Sequence, residues 1–392
     1  MSPFGLDALA IPFMAIFLLT LVASIRITGN PALSIFLALC KAALFVAYFG
    51  WVFDGTYTFL DDWTYVDGGR ELLRRGIGVS NLAENWQYVL MIGGGDHFAY
   101  YLYNTYAFRL FGDAYFAPVA LNVIATVIAA HLGTRLAATE FNLAGMGQKL
   151  FFVFLLLHPD ILAWSNVMNG KDLLLLLFHV FLLLSVSLYM RGRVLQALML
   201  AAPVVLVLFF LRFYVPVLFA VALSASVLTA RSGGWKRIGY LLVATLLMAT
   251  MLLWIGGAGI QYAIDQVRAA MVNPVFGFIR MLLTPVPFNT DEAYAFLNLP
   301  AALHWMLMPF AVFGAFSVWR QGSPFSRFFV TYVLVFMSLY AVFGELQGPR
   351  HRVQLDYAWA VFQFMGVKRF LETVLVSINA RRREAQLTLS ER

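Results

Sequence analysis

The sequence predicts an all-α fold, a polytopic bundle of transmembrane helices. Of its 392 residues, 61% are hydrophobic and only 12% are charged, and the mean hydropathy is +0.79. This composition is far from that of a soluble domain. Hydrophobic runs of roughly 17 to 25 residues recur along the chain, and each can cross a hydrocarbon core about 30 Å thick as a helix. Since no repeat and no Gly/Ser/Pro linker divides the chain, residues 1–392 are expected to form a single membrane domain.

About eleven spans satisfy the length criterion. They are expected at 8–25, 33–53, 115–137, 149–166, 172–190, 195–211, 213–230, 238–257, 301–319, 328–345 and 356–376. The first hydrophobic run lacks a basic n-region and a small-residue cleavage site, so we expect a retained span rather than a signal peptide. Cys40, the only cysteine, lies in the second span, which excludes intramolecular disulfides and multi-cysteine metal sites.

Basic residues predict the orientation of the spans. They recur in every second connection, from Arg26 after the first span to Arg381 in the tail 377–392. By the positive-inside rule these connections face the cytoplasm, which places the N-terminus outside and the C-terminus inside. The net charge of +7 therefore reflects topology. Nucleic acid is not an expected partner, because the cationic clusters are short and flank membrane spans.

Two connections on the opposite face are long, 54–114 and 258–300. The first interleaves charges with large apolar side chains such as Leu72 and Trp86, as amphipathic helices lying along a bilayer require. The second has the same character, with Phe276 close to Arg280. Together these loops are predicted to cover a cavity on the outer face.

The strongest chemical signal is the adjacent pair Asp61 and Asp62, just beyond the outer end of the second span. Two carboxylates at a membrane interface repel each other and lose hydration, so they are costly unless a cation, a metal or a substrate proton compensates them. Two interpretations stay open. Either the pair is catalytic, or it caps the amphipathic helix that begins near Trp63, where Asp is a favoured residue.

Three further groups of charges are expected on the same face. Lys171 can hold a phosphate as a point charge, or Lys171 and Asp172 snorkel to the interface or pair with each other. Arg212 lies between hydrophobic segments, where a solitary charge is expensive, and is either functional or the mark of a tight hairpin. Near the last span, Arg350 and Arg352 run against the positive-inside tendency, which an anionic partner would explain.

The arginines near the last span and a possible metal site also have alternative interpretations. Arg350 and Arg352 could instead pair with Glu345 or Asp356. Asp96 and His97 follow three glycines and are weak candidates for a divalent cation site with the acidic pair, since carboxylate oxygens suit Mg or Mn and an imidazole can complete such a site. His97 is otherwise an interfacial loop histidine. The glycines lack the strand and the lysine of a phosphate-binding loop.

The first outer loop resembles that of the GT-C superfamily of glycosyltransferases. Many bacterial members have an acidic pair, then a tyrosine, then a short helix ending in leucines and glycine. The matching residues are Asp61, Asp62, Tyr65, Leu72, Leu73 and Gly76. The resemblance implies that Asp61 is the catalytic base. Asp62 departs from the family, which often has glutamate there.

The resemblance continues along the chain. A hydrophobic run containing Asn122 is similar to the family's next span, and Pro159 with Asp172 resembles a proline and an acidic residue that open a later one. Arg350 matches the family's late arginine motif. His351 stands where tyrosine is common, and the proline that usually follows is missing.

The resemblance implies a multi-pass glycosyltransferase of the bacterial inner membrane whose site faces the periplasm or exterior. It would transfer sugar from a polyprenyl-phosphate donor to a glycan, lipid or protein acceptor, with inversion and with Asp61 or Asp62 as base. The substrate-binding residues would be Tyr65, Lys171, Asp172, Arg212, Arg350, His351 and Arg352. The expected partners are this donor, the acceptor and membrane lipids; any cofactor would be Mg or Mn.

Two alternatives stay open. A polymerase or ligase for O-antigen or exopolysaccharide also needs outer-face arginines for a lipid phosphate. A transporter would also place charges in a membrane cavity, but transporters commonly show repeats with matching Gly/Pro-broken spans, and Pro203 and Pro216 form no such matched set.

Overall fold

The computed structural model describes residues 3–93, 97–229, 239, 242, 245 and 271–390. In these residues the chain is helical and no strand occurs, so the predicted all-α fold is confirmed. The α-helices are α1 Leu6–Thr28, α2 Pro31–Ala47, α3 Leu60–Arg74, α4 Trp86–Ile92, α5 Phe98–Phe111, α6 Phe116–Glu140, α7 Met146–Leu156, α8 Pro159–Val167, α9 Asp172–Met190, α10 Val194–Arg212, α11 Tyr214–Thr229, α12 Pro274–Leu283, α13 Asn298–Arg320, α14 Pro324–Val342, α15 Pro349–Arg352 and α16 Asp356–Ser390.

Among the described residues, eight helical segments are long and apolar enough to cross a membrane. They are Leu6–Thr28, Pro31–Val52, Phe116–Glu140, Met146–Val167, Asp172–Met190, Val194–Arg212, Glu292–Arg320 and Pro324–Val342. The chain therefore has the architecture of a polytopic membrane protein. The predicted span 213–230 corresponds to a shorter helix, 356–376 is helical but carries charges from Lys368 onward, and most of 238–257 lies outside the described residues.

Local sequence explains where several helices begin. Proline at the first position of α2, α12 and α14 has the backbone angle that a helix start requires and has no N–H to leave unpaired. The preceding side chain caps each helix: Asn30 accepts from the amide of Leu33, and Ser323 accepts from that of Ser326.

The long connection 54–114 is largely helical, as its amphipathic pattern predicts. Helices α3 and α5 pack closely because α3 presents glycine to α5. A Cβ atom on Gly69 would lie only 2.7 Å from the Cβ atom of Asn104. The Thr105 hydroxyl donates a hydrogen bond to the Gly69 carbonyl oxygen at 3.0 Å. This contact fixes α3, which carries the acidic pair at its start.

Helices α13 and α16 also cross at glycines. A Cβ atom on Gly314 would lie 1.8 Å from the Phe362 carbonyl oxygen, and one on Gly366 would lie 1.9 Å from that of Phe310. Only residues without a side chain allow backbones to approach this closely. The crossing holds α16 against α13 and so positions the segment that precedes α16.

Candidate functional site

An arginine from α15 joins two carboxylates that are distant in sequence. Nη1 of Arg350 donates to Oδ2 of Asp61 at 2.9 Å, and its Nε donates to Oδ2 of Asp172 at 2.7 Å. The other oxygen of Asp172 accepts from Nε2 of Gln354 at 2.6 Å and lies 3.7 Å from Nη2 of Arg212. The starts of α3 and α9 and the end of α10 therefore meet α15 at one place.

Lys171 lies in the same place. Its Nζ donates to the hydroxyl of Tyr65 at 2.7 Å. Tyr65 is one turn beyond Asp61 on α3, so the two side chains share a face of that helix. Lys171 is only 2% exposed, and its burial, with the charge of Arg212 nearby, lowers the pKa of its ammonium to about 6. We call Asp61, Lys171, Asp172, Arg212 and Arg350 the Asp61 cluster.

The two adjacent aspartates have opposite surroundings. The side chain of Asp61 is 54% exposed. Burial alone would raise its pKa, but the Arg350 guanidinium outweighs that effect and holds the pKa of Asp61 below its usual value. Asp62 is fully buried, and burial raises its pKa to about 7. Adjacent carboxyls with such different environments are suited to different roles.

The sequence placed the acidic pair at the N-cap of a helix that begins near Trp63, but α3 begins at Leu60 and Phe59 is its N-cap, so Asp62 helps to cap the helix from its third position. Its Oδ2 accepts from the amide of Phe59 at 3.2 Å and from the hydroxyl of Tyr115 at 2.9 Å. The cap interpretation therefore describes Asp62, while Asp61 points towards Arg350 and solvent. The catalytic interpretation stays a prediction, and Asp61 is the member of the pair that solvent reaches.

Buried amides fix the segment before α9. Nδ2 of Asn169 donates to the carbonyl oxygen of Asp62 at 3.3 Å and to Oδ1 of Asn104 at 2.8 Å, and its Oδ1 accepts from the Tyr100 hydroxyl at 2.8 Å. Nδ2 of Asn122 donates to the Gly170 carbonyl oxygen at 3.2 Å. Sequence reasoning gave these amides no role, although polar groups within apolar helices must find partners when they are buried.

Arg352 is separated from the Asp61 cluster. It is 2% exposed, donates from Nη2 to Oδ2 of Asp160 at 3.1 Å, and donates from Nη1 to the Thr284 carbonyl oxygen. Nδ1 of His304 lies 3.7 Å from the same oxygen of Asp160. We call Asp160, His304 and Arg352 the Arg352 cluster. The two arginines thus belong to different sites, so the structure does not bring Arg352 to the other predicted cations.

His351, between the two arginines, is almost fully buried. Burial lowers the pKa of its imidazole to about 3, so the ring is neutral. The ring packs beside that of Tyr340, with the centroids 5.8 Å apart. Tyr340 in turn donates to Gln354, the amide that donates to Asp172, so His351 contacts the Asp61 cluster through these two residues.

The observed partners of Arg350 are Asp61 and Asp172, and of the two predicted alternatives only Asp356 has a described side chain. Asp356 is buried and makes no ion pair with Arg350, and the side chain of Glu345 lies outside the described residues. Arg212 ends α10 just before α11 begins, as a hairpin requires, and it also faces Asp172. Its functional interpretation stays a prediction.

Of the two predicted metal ligands, the structure describes only His97. Nδ1 of His97 donates to the Leu211 carbonyl oxygen at 2.7 Å, which ties the start of α5 to α10. Asp96 lies outside the described residues. In the part of the chain that is described, no group of three His, Cys, Asp or Glu side chains is arranged to hold a metal ion.

Comparison of the chain with protein-family models gave no match, and comparisons with curated proteins and with solved structures gave none either. The resemblance to the GT-C superfamily therefore depends on the sequence motifs alone. The geometry of the Asp61 cluster is an independent ground for a functional proposal.

Proposed function

We propose that this chain is a membrane glycosyltransferase of the GT-C type that moves a sugar from a polyprenyl-phosphate donor to a glycan, lipid or protein acceptor of the bacterial cell envelope. The observation that supports this most is the bridge from Arg350 to Asp61 and Asp172. It places a solvent-accessible carboxylate directly beside buried cations. In the orientation predicted from the basic residues, this end of the bundle faces the periplasm or exterior.

Asp61 is the proposed base. In the reaction, the acceptor hydroxyl oxygen bonds to the anomeric carbon while the bond from that carbon to the phosphate oxygen breaks. Asp61 takes the hydroxyl proton, and the phosphate leaves with the bonding electron pair as polyprenyl phosphate. Arg350 lowers the pKa of Asp61, which keeps this carboxyl in the ionised form that can accept a proton and at the same time makes it a weaker base than a free carboxylate. A single displacement inverts the anomeric centre.

The arginines of the Asp61 cluster have unpaired N–H groups that could bind the departing phosphate. Nη2 of Arg350 and Nε of Arg212 are buried nitrogens without a hydrogen-bond partner. Buried donors normally have partners, and an N–H left unpaired costs free energy. Phosphate oxygens would satisfy both guanidinium groups and neutralise their charge. Lys171, held by Tyr65, lies beside them as a third donor.

An apolar groove offers a place for the isoprenoid tail. A cavity of about 420 Å³ opens between α2, α8 and α13, and its lining includes Tyr48, Leu162 and Leu303. The lining also includes Val167, the last residue of α8, which precedes the segment leading to Lys171. A lipid chain in this groove would approach the Asp61 cluster from the bilayer.

The test uses the purified chain in nanodiscs with radiolabelled polyprenyl-phosphate sugars and an envelope extract as acceptor. Wild type is compared with Asp61→Asn, Asp62→Asn and Asp113→Asn. Asp113 is a matched control because its side chain is 50% exposed and it pairs with Arg70 at 2.5 Å. We expect Asp61→Asn to lose sugar transfer and Asp113→Asn to keep it. Equal transfer by all four proteins would remove the assignment of the base.

The same preparation distinguishes the alternatives. Use of a diphosphate-linked oligosaccharide, and not of a monophosphate-linked sugar, would favour the polymerase or ligase. Passage of the donor across the bilayer of sealed vesicles without chemical change would favour a transporter.

A further inference from the structure

A second cavity lies at the far end of the spans. Helix α6 begins beside Tyr115, which contacts Asp62. The cavity lies at the other end of α6, where α13 also ends at Arg320. It has a volume of about 560 Å³. Its polar lining includes Asn142, Ser317 and Arg320 together with Lys368 of α16. Nothing in the proposed transfer reaction uses this region.

The cavity follows from the glycine crossing of α13 and α16. The two backbones are in contact at Gly314 and Gly366. Helices that touch at such a point and cross at an angle must separate beyond it. Ser317 and Arg320 follow Gly314 by about one and two turns. The gap therefore widens towards the membrane surface, and α13 and α16 cannot fill it themselves.

The charge around this gap is unbalanced. Among the described residues, no carboxylate lies within ion-pair distance of Arg320, whose guanidinium instead lies 4.3 Å from the ring centre of Phe316. Lys368 and Arg369 share a single carboxylate, that of Glu372, at 3.9 and 3.4 Å. Among the cavity-lining residues that the structure describes, three cations thus face one anion, which favours a negatively charged occupant.

Part of the lining is apolar and lies on the same helix as Arg320. Phe313 and Phe316 line the cavity and remain about half exposed on α13, a helix long and apolar enough to span a bilayer. An occupant must therefore match cations at the helix ends and hydrocarbon just below them. A phospholipid has these two properties in this order, and basic pockets between spans at the cytoplasmic side are suited to acidic headgroups.

We infer that the cavity binds one anionic phospholipid, with its phosphate on Arg320 beside Lys368 and one acyl chain along Phe313 and Phe316. In the predicted orientation this lipid belongs to the cytoplasmic leaflet. It fills the gap below the glycine crossing and braces α13 against α16. The inference does not depend on the proposed transferase activity.

The test is lipid retention in native mass spectrometry. Wild type, Arg320→Gln and Arg193→Gln are reconstituted in nanodiscs of equal phosphatidylglycerol and phosphatidylcholine, and bound lipids are counted after release into detergent. Arg193 is a matched control, since it is an exposed arginine at the start of α10 on the same end of the bundle. We expect Arg320→Gln to weaken phosphatidylglycerol retention about tenfold, the scale of one charge-assisted hydrogen bond. Arg193→Gln should match wild type.

Two results would overturn the inference. One is equal retention of phosphatidylglycerol by Arg320→Gln and wild type. The other is displacement of the lipid by excess sodium phosphate alone, which would identify a site for a soluble anion. If Arg320→Gln does not fold, the double variant Lys368→Gln/Arg369→Gln gives the same comparison.

Discussion

The Asp61 cluster and the Arg352 cluster are built from the same chemistry and differ in their access to solvent. Each joins an arginine of α15 to an aspartate in the first turn of a helix, Asp172 in α9 or Asp160 in α8. Arg350 also reaches Asp61, which is largely exposed, whereas Arg352 and Asp160 are sealed. Two residues along a helix turn the side chain by about 200°, so one short helix serves both clusters.

This difference in solvent exposure indicates what each arginine does. A charge that solvent can reach can also be reached by a substrate, and its loss should affect activity. Arg352 and Asp160 are both buried and pair with each other, and Arg352 also holds the carbonyl oxygen of Thr284 after α12. Arg352 is therefore a positioning residue that keeps α15, and with it Arg350, in place.

Substitution in the Asp61 cluster should change sugar transfer most. Asp61→Asn removes the proposed base, and sugar transfer should fall by about 10²–10⁴-fold, the usual contribution of a general base. The melting temperature should change little because the side chain is exposed. Radiolabelled transfer and thermal unfolding on the same preparation measure both quantities. A large loss of stability in this variant would erase the distinction between the clusters.

Substitution in the Arg352 cluster should mainly change stability. Arg352→Met leaves Asp160 buried without its cation and should lower the free energy of unfolding by about 3–5 kcal/mol. The control is the double variant Asp160→Asn/Arg352→Met, which leaves no uncompensated charge and should recover part of the loss. Thermal unfolding in detergent ranks the stability of wild type, the single variant and the double variant. Additive losses would mean that the two side chains do not act as a pair.

A smaller effect is expected from Arg350→Lys. Lysine keeps the charge, but its single ammonium cannot hold Asp61 and Asp172 from two sides as the guanidinium does. Transfer should fall by roughly ten- to a hundredfold, in line with loss of a hydrogen bond between charged groups. A variant as active as wild type would show that only the charge of Arg350 matters.

The most gradual effect concerns Asp62 and pH. Folding raises the pKa of Asp62 from 3.8 to about 7. Between these values the folded protein keeps a proton that the unfolded chain has released, so stability is greatest at the acidic end and falls as pH rises. The slope is at most about 1.4 kcal/mol per pH unit. Melting temperatures from pH 4 to pH 7 should fall less steeply in Asp62→Asn, and parallel curves would contradict this assignment.

Much of the fold was accessible from the sequence because hydrophobic length alone fixes where a helix can cross a membrane. The predicted span 172–190 coincides with α9, and the predicted 195–211 differs from α10 by one residue at each end. The span at 149–166 is less simple, since it breaks at His158-Pro159 into α7 and α8. Proline cannot continue a helix from the preceding turn, so this break had a signal that length alone did not use.

The candidate site was predictable in membership and less so in geometry. Asp61, Lys171, Asp172, Arg212 and Arg350 were each identified as a costly charge near one membrane face, and the structure places them together. The sequence could not show that Arg350 and Arg352 point to different clusters, because α15 is a single short turn. That direction depends on helices which pack on α15 from distant parts of the chain.

The bridge formed by Arg350 also sets the order in which the protein can mature. Its two carboxylate partners precede it by 289 and 178 residues. During synthesis both aspartates are inserted long before their arginine emerges from the ribosome, so Asp172 must wait at the bilayer without its strongest partner. Insertion factors that shield this charge should therefore matter most while residue 350 is still inside the ribosome.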